Sequence, residues 1–68
     1  MPEILKNKDY DLISVIYNAS QAAETCTQYM KDAEKERDQE VKQFFNEVQE
    51  VNANLVQQGK SLLKNRLQ

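Results

Sequence analysis

Along the first half of the chain, small and apolar residues recur at Leu12, Ile16, Ala19, Ala23, Cys26, Met30 and Ala33, alternately four and three positions apart. That spacing is the seam of an amphipathic helix that packs on a partner helix. Val15, Ala22 and Tyr29 recur every seven residues beside the seam and widen its apolar face beyond what a two-stranded coil needs. The second half carries Val41, Phe44, Val48, Val51, Leu55 and Leu62 on one stripe, with Gln58 in its remaining place. Phe45, Val56 and Leu63 flank this stripe, and Asn52 and Gly59 fall on the same face. It reads as a second helix built to lie against the first. The middle of the first seam is made of Ala19, Ala22, Ala23 and Cys26, so Phe44 and Phe45 are expected to fill the space those small side chains leave.

Local signals place the boundaries. Residues 1–8 read as an arm that starts extended at Pro2 and is anchored by Ile4 and Leu5. Asn7 or Asp9 can cap the first helix, and Asp9 and Asp11 put negative charge at the positive end of its dipole. A turn is expected near Glu36, Arg37 and Asp38, with Asp38 as the N-cap of the second helix and Glu40 in its first turn. Lys60, Lys64 and Arg66 collect at its C-terminal end, where the dipole favours cations. The expected architecture is an all-α antiparallel hairpin occupying residues 9–68, with helices over about 9–36 and 39–66.

A chain of 68 residues with one cysteine and no histidine has no internal disulfide and lacks the commonest transition-metal ligand. A core this small is marginal alone, so association is the device left open. Phe44, Phe45, Val48, Val51, Leu55 and Leu62 together exceed what one alanine-rich helix can cover. Two copies forming a four-helix bundle are therefore expected, with Ile16, Ala19, Ala23, Cys26, Met30 and that set of six as core and dimer interface.

The net charge of −2 gives no reason to expect nucleic acid, and no apolar run or leader-like start points to a membrane or to export. The default setting is cytoplasmic. Candidate chemistry is sparse. Glu24 and Glu50 point away from the apolar faces, and Cys26 sits in the seam without a base, as a small buried hydrophobe would. Asn52 either sets register or sits at an edge, and Gly59 marks either a close crossing or a frayed end. Tyr10, Ile13 and Tyr17 form a second apolar stripe. It is covered by Ile4 and Leu5 or by a second subunit, or else it docks another protein.

The run Tyr29-Met30-Lys31-Asp32-Ala33, followed by Asp38-Gln39-Glu40-Val41-Lys42-Gln43-Phe44-Phe45, resembles the ferritin-like, rubrerythrin-type hairpin. The resemblance spans most of residues 10–65 and implies one half of a four-helix bundle. Aligned without gaps, the family's Glu-x-x-His motif falls on Asn52 to Leu55 and its first-helix Glu near Ala22, so the ligands are missing. The expectation is a non-catalytic structural or protein-interaction module without a cofactor. The alternative is a degenerate or unusual metal or redox protein of the ferritin-like class.

Overall fold

The computed structural model describes residues 7–66, which form two helices packed as a hairpin: α1, Asn7–Lys35, and α2, Gln39–Arg66. The anchoring residues Ile4 and Leu5 lie outside the described residues, as does any cap that precedes Asn7. Helix α1 already includes Asn7 and Lys8, expected in the arm, and Asp9 follows in its first described turn. Asp9 there meets the positive end of the dipole.

The turn is a Schellman closure. Arg37 takes the left-handed conformation with φ 57°, the Asp38 amide donates to the Ala33 carbonyl at 2.9 Å, and the Arg37 amide donates to the Glu34 carbonyl at 3.0 Å. Asp38 then caps α2 as expected, its Oδ1 accepting from the Val41 amide at 3.1 Å. A left-handed non-glycine residue costs about 1–2 kcal/mol, and glycine gives back part of this through a freer unfolded chain. Arg37→Gly should therefore stabilise the hairpin by roughly 0.5–1 kcal/mol in chemical denaturation. No gain would mean that the arginine side chain offsets the strain.

The α1 seam lies where its spacing puts it. Ala19, Cys26 and Ala33 are buried, and Leu12, Ile16, Ala23 and Met30 are half-buried. Helix α2 meets it with a different stripe from the expected one: Phe45, Gln49, Asn52, Val56, Gly59 and Leu63, all buried or half-buried and again four and three apart. The helix is turned by roughly one residue, or 100°, from the orientation that its strongest hydrophobic stripe suggests. Phe44 therefore does not fill the alanine-lined stretch of α1; it is 60% exposed, with Val51 at 57%, Leu55 at 45% and Leu62 at 50%. Val48 stays half-buried, and Phe45 packs inward against Tyr29, ring centroids 5.4 Å apart.

The physical reason for the rotation is closeness. Small residues on α1 let α2 approach until Gly59 sits under Ile16, where a Cβ would lie 2.6 Å from Ile16 Cγ1. Gln49 Nε2 donates to the Ala23 carbonyl at 2.8 Å and to Thr27 Oγ1 at 2.9 Å. A stripe of phenylalanine, valine and leucine would hold the backbones apart and forgo both features. Gly59 thus marks a close crossing, not a frayed end. Asn52 donates to the Val48 carbonyl of its own helix at 2.8 Å, which satisfies the amide without bridging the helices.

Candidate functional site

The molecule measures 53 × 22 × 12 Å, a single layer of two helices with two broad faces. One face is polar. There Gln49 ties to Thr27, and seven residues further along α1, Glu34 meets Lys42 Nζ at 3.3 Å. The lysine–glutamate pair is exposed and contributes little to stability.

The other face is apolar. Tyr29 and Val41 line one pocket beside the turn, which fixes them on the same side of the seam. Seven-residue spacing carries Val15 and Ala22 up that side of α1, and Val48, Leu55 and Leu62 up that side of α2. Phe44 and Val51 stand beside the α2 line, farther from the seam, and the Phe44 ring lies 6.0 Å from that of Phe45. On this face the large exposed hydrophobics are Val15 and Tyr29 from α1 and Val41, Phe44, Val51, Leu55 and Leu62 from α2, the last five in the stripe that the seam did not take. The residues expected to form core and dimer interface divide accordingly. Ile16, Ala19, Ala23, Cys26, Met30 and Phe45 serve the contact within the hairpin, Val48 is half-buried at its edge, and Phe44, Val51, Leu55 and Leu62 face outward.

The pocket, about 240 Å³ in volume, is lined by the apolar Tyr29, Ala33, Val41 and Phe45 and by the carboxylates of Asp32, Glu36 and Asp38. Asp38 already serves as the helix cap. At the far end, Arg66 Nη1 stands 4.0 Å from Asp9 Oδ1, beyond hydrogen-bond range but close enough for attraction between opposite charges. Tyr10 and Tyr17 are exposed, and Ile13 is at the margin, so among the described residues nothing covers that stripe.

The side chains do not fit a metal centre of the ferritin-like kind. Ala22 offers a methyl group, Leu55 an alkyl chain, and the Asn52 amide is engaged by its own helix. Among the described residues no three histidine, cysteine or acidic side chains converge as metal ligands would. Cys26 is free and 3% exposed, and packs as a small hydrophobe. No described helix is long and apolar enough to cross a membrane.

Gln49 is the residue that the sequence pattern failed to single out. Its signal is its place in the spacing from Phe45 to Leu63, where a glutamine stands at a position otherwise taken by residues that meet α1.

Comparison with known proteins adds no family: the chain matches no protein-family model, no curated protein and no solved structure.

Proposed function

We propose that this protein is a non-catalytic structural or protein-interaction module that works as a homodimeric four-helix bundle. One observation carries the reading: the strongest hydrophobic stripe of the chain, Phe44, Val51, Leu55 and Leu62, is turned outward on a hairpin that is only one layer thick. Each such side chain is 45–60% exposed and forgoes about half of the roughly 1.5–3 kcal/mol that full burial gives, and together they make an adhesive patch. A second copy laid on the apolar face supplies the missing layer.

Dimerisation of this kind links folding to association. The melting temperature should rise by several degrees between about 1 and 100 μM protein, because mass action favours the folded dimer. A concentration-independent melting temperature would count against the reading. The Tyr10–Ile13–Tyr17 stripe lies off the proposed interface and is uncovered among the described residues. The ferritin-like resemblance, read as architecture alone, fits the same bundle. The alternative of an unusual metal or redox member is separated by elemental analysis of purified protein. Stoichiometric iron or manganese that resists a chelator would overturn the module reading.

A further inference from the structure

We propose that the second copy lies antiparallel, with the turn of each hairpin over the open end of the other and the two-fold axis near Ala22 and Val51. This rests on the dimer reading above and specifies its partner contact. A two-fold axis that stacks the apolar faces can run along the hairpin or across it. An axis along the hairpin brings the two turns together and lays α2 over α1 of the second copy. The rich α2 stripe would then face the sparse line of Val15, Ala22 and Tyr29. An axis across the hairpin lays α2 on α2 and α1 on α1, each reversed.

In that arrangement the α2 stripe is self-complementary. Val41 meets Leu62, Val48 meets Leu55, Val51 meets itself, and Phe44 covers Gln58, the one polar place in the stripe. Helix α1 repeats the symmetry about Ala22: Val15 meets Tyr29, and one heptad further out Lys8 meets Glu36. The two centres of symmetry stand at nearly one height in the hairpin. Gln49 touches Ala23 and Gly59 touches Ile16, so Ala22, between those two levels, stands close to Val51. A single axis therefore serves both helices.

Charge favours the same choice. The half nearer the turn, residues 23–51, carries eight acidic and four basic side chains, a balance of −4. The described open half, residues 7–22 and 52–66, carries two acidic and four basic, a balance of +2. Stacking turn on turn sets −4 against −4, whereas the reversed stack sets −4 against +2 at both ends. The carboxylates of Asp32 and Glu36 at the pocket beside the turn then lie toward the basic end of the second copy.

Spin labels on single cysteines test the orientation. Gln39→Cys and Ser61→Cys, each made in full-length protein carrying Cys26→Ala, place a label at an exposed site near the turn and near the open end. Helical content and sedimentation of the labelled proteins are measured alongside the label distances. The antiparallel dimer predicts about 40 Å between Gln39→Cys labels and about 30 Å between Ser61→Cys labels, from the helical rise between each site and the axis. A dimer with both distances below about 20 Å overturns the antiparallel arrangement and leaves the bundle standing, since adjacent helices lie only 8–10 Å apart. A folded monomer overturns the bundle and this inference together. The two sites report independently, so one ill-folded variant still leaves the test decisive.

Discussion

Val51→Glu should abolish association and, at micromolar concentration, most of the helix with it. Val51 is 57% exposed in the single hairpin, so the substitution disturbs nothing between α1 and α2. In the proposed dimer it sits on the two-fold axis, where two carboxylates would meet. Each chain also forgoes the burial of a valine, so the dimer loses roughly 3 kcal/mol or more, an affinity drop of about a hundredfold or greater. A single layer this small has little core of its own, and the freed hairpin should melt. Gln57→Glu adds the same charge at an exposed site off the apolar face and should behave as wild type. If Val51→Glu leaves a stable helical protein of unchanged mass, the face is not an interface. Phe45→Glu, which the sequence pattern also suggests, is the poorer probe, because Phe45 packs on Tyr29 within the hairpin and its loss would unfold any state.

Gly59→Val should destabilise the protein by about 2–3 kcal/mol through overpacking. A Cβ at Gly59 would stand 2.6 Å from Ile16 Cγ1, an atom one bond from Cβ on a side chain whose χ1 is held to one favoured rotamer in a helix. For a domain of this size the loss corresponds to a fall in melting temperature of roughly 10–20 °C. Alanine is a blunter test, because its helix propensity returns about 1 kcal/mol. Ile16→Ala in the same chain opens the space, so the double variant should be more stable than the sum of the two single losses. Strict additivity would mean that the close crossing does not limit the approach of the helices.

These two positions also mark the limits of what the sequence reveals. The α1 seam was legible because its spacing is regular and its residues are apolar or small: Leu12 through Ala33 are all buried or half-buried. The Asp38 cap was legible from residue type and position. The left-handed Arg37 was not, because arginine gives no sign of a conformation that glycine usually takes. On α2 the hydrophobic pattern pointed to the wrong stripe for the contact within the chain. The stripe that faces α1 contains Gln49, Asn52 and Gly59, which hydropathy discounts. They belong there because close approach and a hydrogen bond to the Ala23 carbonyl favour a thin, partly polar surface. The apolar stripe that looked like the core of one hairpin is instead the outward face, and its residues carry the candidate site. Chemistry was hardly legible at all: Glu24 and Glu50 lie exposed, the one thiol is packed away, and the burial of Asp9 at the open end has no sign in the pattern.

Sedimentation equilibrium of the full chain across the micromolar range decides between the dimer and a lone hairpin. The expected species is a helical dimer of twice the 7.9 kDa chain mass, dissociating only as helix is lost. A compact, fully helical species of 7.9 kDa at those concentrations would contradict it.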